Sequence, residues 1–220
     1  MTPSEIETAA RRLLNATGSV FWSSDEIIGN YLYMAALEMA TETFCIENRY
    51  TTTSVANQQE YAAQGRLMSV KRLEYDSEKL MPITFQKLDS IDFNTNTTVT
   101  GTPQYYYHFD ESFGLFPTPT ASGDTITVYT YDQPSVPTST STLEIPTRFH
   151  GYLVLGVAYY MSLKELGHPH TRLYEQQWNS LANPNNAIAK VRRAMRMRNK
   201  DNFHVVTVEE NQPSTQLGMV

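Results

Sequence analysis

Cysteine is nearly absent. Cys45 stands alone in 220 residues, so no intrachain disulfide can form, and its place in an apolar helical pattern predicts a buried, inert thiol in a reducing compartment. Long hydrophobic runs are missing as well: no stretch of about 18 apolar residues exists to cross a bilayer. Glu5 and Glu7 stand where a secretory leader carries positive charge. These absences predict a soluble, unsecreted protein. Charge is sparse at 18% of residues, and Thr, Asn and Gln supply much of the polarity. A net charge of −6 argues against a general DNA-binding surface. Catalytic spacing is lacking too, since no segment assembles a nucleophile with its base, a metal-ligand set or a phosphate loop, so neither an enzyme nor a cofactor is expected.

What is present is a change of period. Thr2-Pro3-Ser4-Glu5 is a capping box with proline at the first helical position, and Ile6, Ala9, Ala10, Leu13 and Leu14 follow on one stripe, predicting a helix from about Pro3 to Asn15. Ser23-Ser24-Asp25-Glu26 repeats the box, and a longer helix is expected to about Phe44. From Arg49 to Leu143 the pattern becomes that of short strands. Segments at 50–54, 67–75, 104–109, 114–116 and 124–131 are β-branched or alternating, with a short helical turn near 82–89, implying a small sandwich or sheet. Ile145-Pro146 opens a third helix carrying Phe149, Leu153, Val157 and Met161, and Pro169 opens a fourth with Leu173, Tyr174 and Trp178. Asn183-Pro184 should break or kink the chain before a basic helical stretch to about Asn199. The fold class expected is α+β: a helical-bundle body from 1–47 and 143–200, a β-rich, sandwich-like insertion from 48–142, and an extended C-terminal arm from 201–220.

The order of these signals resembles the head-to-tail adaptor (connector) proteins of tailed bacteriophages. The matching landmarks run from Ser23-Ser24-Asp25-Glu26 through the strands at 66–75, Leu80-Met81-Pro82-Ile83, Gly101-Thr102-Pro103-Gln104-Tyr105 and Leu115-Phe116-Pro117-Thr118-Pro119. Ile145-Pro146-Thr147-Arg148-Phe149-His150 completes the set. The resemblance covers most of residues 20–182. It implies a virion protein at the head–tail junction, made in the bacterial host cytoplasm. It further implies a homo-oligomeric ring, commonly dodecameric, with its helical part against the portal, its β part toward a tail or nozzle protein, and a passage for DNA. C-terminal arms that reach along the portal are common in such adaptors, which suggests a use for 201–220, where Phe203, Val205, Val206 and Val208 alternate enough to add as a strand.

Residues 190–200 hold Lys190, Arg192, Arg193, Arg196, Arg198 and Lys200 with no acid among them. The favoured reading is a charged interface with acidic surface on a neighbouring subunit or the portal; contact with packaged DNA is the lesser one. In Tyr105-Tyr106-Tyr107, strand alternation puts Tyr106 in the core and Tyr105 and Tyr107 at a tail or subunit interface. The alternative use of those rings is a sugar-binding face, which would make the protein a carbohydrate-binding virion or host-attachment module. Glu165 with His168-Pro169-His170 reads as a helix junction rather than a metal site, because proline interrupts ligand spacing. Asp110-Glu111 reads as a polar turn, with calcium binding alongside Asp124 the lesser reading. The sequons at Asn15 and Asn96 read as chance matches.

Overall fold

The computed structural model describes residues 1–19, 21–91, 99–165 and 168–201. Helix α1 spans Pro3–Leu13 behind the expected capping box: the Glu5 amide donates to Thr2 Oγ1 at 3.3 Å and the Thr2 amide donates to Glu5 Oε2 at 2.8 Å. It buries Ile6 and Ala10. Arg11 fixes the following turn to the helix, pairing with Glu7 at 2.9 Å and donating to the carbonyls of Ser19 and Trp22 at 3.1 and 2.7 Å. Ser23 then caps α2 (Ser24–Glu26), which runs without a gap into a π-helical segment, Ile27–Leu32, and into α3 (Tyr33–Thr43). Phe44, in the left-handed conformation at φ 51°, ends this rod.

Among the described residues the chain then forms two four-stranded sheets. One has the order β1 (Glu47–Thr53), β8 (Thr125–Asp132), β3 (Leu67–Tyr75), β4 (Glu78–Lys79), with every pairing antiparallel. The other has the order β2 (Glu60–Ala62), β7 (Ser112–Phe116), β6 (Tyr105–Phe109), β5 (Met81–Pro82), the last pair parallel. Leu73, Ile126 and Val128 of the first sheet share one core with Tyr61, Tyr106, Phe113 and Leu115 of the second, so the sheets pack face to face. Helix α4 (Phe85–Ile91) covers part of the second sheet's outer face, where Ile83, Leu88, Tyr107 and Phe116 form a small separate cluster. Entry and exit are adjacent: Glu47 pairs with Tyr131, and the Asp132 amide donates to the Ile46 carbonyl at 3.1 Å.

After β8 a turn of 3-10 helix, Thr147–Phe149, leads into α5 (His150–Lys164), followed by α6 (Thr171–Trp178) and α7 (Ala187–Asp201). The fourth helix therefore begins two residues beyond Pro169. The Asn183-Pro184 break is a defined turn. The Asn183 side chain accepts from the Asn185 amide at 3.0 Å and donates to the Gln176 carbonyl at 2.8 Å, and Asn186 Oδ1 caps α7 by accepting from the Ala189 amide at 2.7 Å.

These helices pack with α1 and α3 around a second, larger core that includes Ile6, Ile27, Leu32, Met39, Leu153, Met161, Trp178 and Val191. Its close approach depends on Gly156, where an added Cβ would lie 2.9 Å from Ala35 Cβ and from two carbons of the Trp178 ring. Glu38 ties the same three helices together, accepting from Tyr160 Oη at 2.8 Å, Trp178 Nε1 at 2.5 Å and Asn179 Nδ2 at 2.5 Å. No helix among the described residues is long and apolar enough to cross a membrane.

Candidate functional site

The basic run lies on α7, whose Val191 and Met195 face the core. Burying that stripe sets the direction of every arginine. Arg192 turns toward α3, where it donates to the Glu42 carbonyl at 3.2 Å and pairs with the Glu42 carboxylate. Arg198, near the helix end, pairs with Glu47 at the foot of β1. Lys190 rests over the Tyr152 ring at 6.0 Å. Arg193 and Arg196 point outward, exposed, and make no ion pair among the described residues. Of the four arginines expected at an interface, two are thus engaged within the chain and two are presented to solvent. Half-exposed pairs of this kind are each worth about 0–1 kcal/mol, enough to orient α7 but not to drive folding.

Glu47 also takes Lys71 at 3.0 Å, making it the acid shared by the helical part and the first sheet. Around it, Lys71 lies over the Tyr131 ring at 5.5 Å, and Phe44 meets the same ring with centroids 5.2 Å apart. Further out, Arg49 and Arg72 flank Tyr129 at 5.3 and 5.6 Å, because all three are register partners on neighbouring strands. Arg66 grips Glu144 with a forked pair at 2.9 and 3.1 Å and fastens the loop after β8 to the start of β3. Sequence reasoning missed this joint. Its only signal was the placing of tyrosines at alternate positions of β8, with cations at matching positions of β1 and β3.

The tyrosine triplet divides differently from expectation. Tyr106 is buried between the sheets as anticipated. Tyr107, expected at an interface, is only 4% exposed; its ring packs among Ile83, Leu88 and Phe116, and its hydroxyl donates to Glu60 Oε1 at 3.1 Å. Burial, then the Glu60 carboxylate, pushes that hydroxyl well above the ordinary phenol range. Gly114 makes this possible, since the Tyr107 ring lies across it and an added Cβ would fall 2.0 Å from Cζ. Tyr107 therefore offers no ring face to a partner or a sugar. Tyr105 is half-buried on the same side. The exposed apolar surface there is instead Phe109 at 60%, Met81 at 65% and Phe85 at 41%, with Phe85 packed edge-on against both Tyr107 and Phe109.

The other candidates lie as follows. Cys45 is buried, and burial pushes its thiol up. Asp110-Glu111 forms the turn between β6 and β7, with Asp110 at φ 50°. Asp124 accepts from Tyr75 Oη at 2.5 Å at the sandwich end remote from the helices. The His168 and His170 rings stand 5.9 Å apart beside Tyr174, at the turn before α6. Among the described residues no group of three or more His, Cys, Asp or Glu is placed to hold a metal ion. Phe203, Val205, Val206 and Val208, the residues expected to form the arm, lie outside the described residues, as does the sequon asparagine Asn96.

The described surface thus carries charged and aromatic patches, Arg193 and Arg196 on α7 and Met81, Phe85 and Phe109 beside the second sheet. No curated protein matches the chain. The family model described as SU10 adaptor protein matches residues 1–205, nearly the whole length and every element described above. The chain belongs to the SU10 adaptor protein family, and is thereby a structural adaptor of a bacteriophage virion.

Proposed function

We propose that this protein assembles as a ring, of the dodecameric kind, that joins the portal vertex of a phage head to the tail and leaves a passage for DNA. The family match over residues 1–205 carries this reading. The existence of two separate cores supports a division of labour in which the helical body, 1–47 and 143–200, meets the portal and the sandwich, 48–142, faces a tail or nozzle protein. Arg193 and Arg196 are the cations available for an acidic neighbour, and the surface around Tyr105, Phe109 and Met81 is the apolar patch available to a subunit or the tail. The C-terminal segment with Phe203, Val205, Val206 and Val208 adds a contact to the portal. Repetition around a ring turns such weak contacts into a stable joint.

Electron microscopy of the purified protein mixed with its portal tests the reading, the expected image being a ring co-axial with the portal. A deletion strain should give DNA-filled heads without tails, or heads that leak DNA. Normal tailed, infectious particles from that strain would sink the proposal.

A further inference from the structure

Parity sets the face on which a strand residue lies, and on β8 the even-numbered residues point inward: Ile126 and Val128 belong to the core that the two sheets share. The same face continues with Thr130 and Asp132 and, on β1, with Asn48 and Tyr50, Asn48 standing opposite Thr130 in the register. At the end of the sandwich nearest the helices the apolar core therefore gives way to polar side chains. Thr130 is 0% exposed and Asp132 6%, while Tyr50 is half-buried and packs against the shared core.

Three oxygens of this group are closed off from solvent and have no hydrogen-bond partner among the described residues: Tyr50 Oη, Thr130 Oγ1 and Asp132 Oδ1. The other carboxylate oxygen, Asp132 Oδ2, accepts from Asn48 Nδ2 at 3.0 Å. Among the described residues no Lys, Arg or His pairs with Asp132. The turn before β3 closes the group: a Cβ added to Gly65 would lie 3.5 Å from Asp132 Oδ2, and the Arg66 carbonyl accepts from the Gln133 amide at 2.8 Å. Burial pushes the Tyr50 hydroxyl above the ordinary phenol range, opposed by the Gln64 backbone and reinforced by the Asp132 charge. The Tyr50 hydroxyl thus lies within electrostatic reach of Asp132.

Buried polar groups are nearly always paired, and leaving one unpaired is costly. Neighbouring side chains on one sheet face stand about 4.5–8 Å apart, a spacing that one small molecule spans with two bonds of about 2.8 Å. We propose that Tyr50, Thr130 and Asp132 together hold one internal water molecule. The Tyr50 and Thr130 hydroxyls donate to its two lone pairs, and the water donates to Asp132 Oδ1. Three bonds are the usual complement of a buried water. A divalent cation does not suit the site, since a single carboxylate with two neutral hydroxyls supplies too few charged ligands. The water lies where the chain enters and leaves the sandwich, beside the Asp132 amide that donates to the Ile46 carbonyl at 3.1 Å. It makes three side chains that share no direct bond act as one unit, and it does not depend on the ring reading.

Two measurements on the full chain test the site. A crystal structure fine enough to show ordered water should place one peak within about 2.6–3.2 Å of all three oxygens. Urea unfolding of Tyr50→Phe, Thr130→Val and the double variant reads the coupling, because each change removes one bond to the water while nearly keeping the side chain's bulk. Either single change already loosens the water, so the second adds little. The double variant should raise the unfolding constant at least about threefold less than the product of the two single effects. Effects that simply multiply overturn the proposal. So does a crystal structure in which the three side chains bond one another directly, or in which nothing touches all three oxygens. A peak held at about 2.4 Å that changes when sodium is exchanged for potassium also overturns it, because the occupant is then a cation.

Discussion

Substituting Gly156 by alanine should destabilise the helical part, although the same change in an unconstrained helix stabilises. The added Cβ would lie 2.9 Å from Ala35 Cβ and 2.9 Å from Cη2 and Cζ2 of Trp178, all within a fully buried contact. Neither neighbour can yield cheaply. Ala35 is set by the backbone of α3, and Trp178 is held by its Nε1–H bond to Glu38 at 2.5 Å. Overpacking of this kind costs about 1–3 kcal/mol. Removing a mid-helix glycine returns up to about 1 kcal/mol. A net loss of about 1–2 kcal/mol is expected, or about 2–8 °C in Tm for a chain of this size. Gly151 supplies the control on the same helix, because nothing lies within 4 Å of a Cβ placed there. Gly151→Ala should therefore leave stability unchanged or raise it by up to about 1 kcal/mol. Urea unfolding followed by tryptophan fluorescence reads both variants. A Gly156→Ala protein as stable as the parent would show that the Trp178 contact is not tightly packed.

Glu26 accepts from Tyr31 Oη at 2.6 Å and Lys164 Nζ at 2.8 Å, and those bonds, Lys164 first, hold its carboxyl below the usual 4.5. Because the folded value is the lower one, the stabilisation is fully present above about pH 4.5 and is lost as pH falls through the folded value. Glu26→Gln should flatten that part of the acid limb of Tm against pH; an unchanged limb would refute the pairing. On α7, Arg193→Glu with Arg196→Glu should change stability by less than about 0.5 kcal/mol while, on the proposed assembly, weakening association with the portal or a neighbouring subunit. Arg192→Glu with Arg198→Glu, which sets like charge against Glu42 and Glu47, should cost about 1 kcal/mol or more; equal urea midpoints for the two doubles would contradict the assigned contacts. Replacing residues 47–131 by a short glycine-rich linker should preserve the far-UV helical signal, since Ile46 and Asp132 already touch and, among the described residues, the larger core draws on no strand residue except by partial packing of Met68. Loss of helix in that variant would show that the sandwich is needed to fold the body.

The local elements were legible because their causes are local. Capping boxes at Thr2 and Ser23, the apolar stripes of α1, α3 and α5, and the alternation in β3 and β8 each lie within a few residues of one another, so period and caps revealed them. Strands β2, β4 and β5 escaped notice since two or three residues carry no period, and they exist only because a longer strand lies beside them. The π-helical turn at Ile27–Leu32 likewise has no local signature beyond Gly29.

At the candidate site the sequence disclosed which residue types were gathered, and tertiary structure decided which of them face outward. Six cations between 190 and 200 were plain to read, but the sorting of the four arginines into Arg192 and Arg198, engaged by Glu42 and Glu47, and Arg193 and Arg196, exposed on the surface, required α7 to lie along α3. Alternation correctly set Tyr106 apart from Tyr105 and Tyr107. It had no means of foreseeing that α4 would fold back over the sheet, or that Gly114 across the ladder would leave room for the Tyr107 ring. Period is a property of neighbours along the chain, whereas exposure is set by what a distant segment covers, so the elements belonged to the sequence and the surface belonged to the fold.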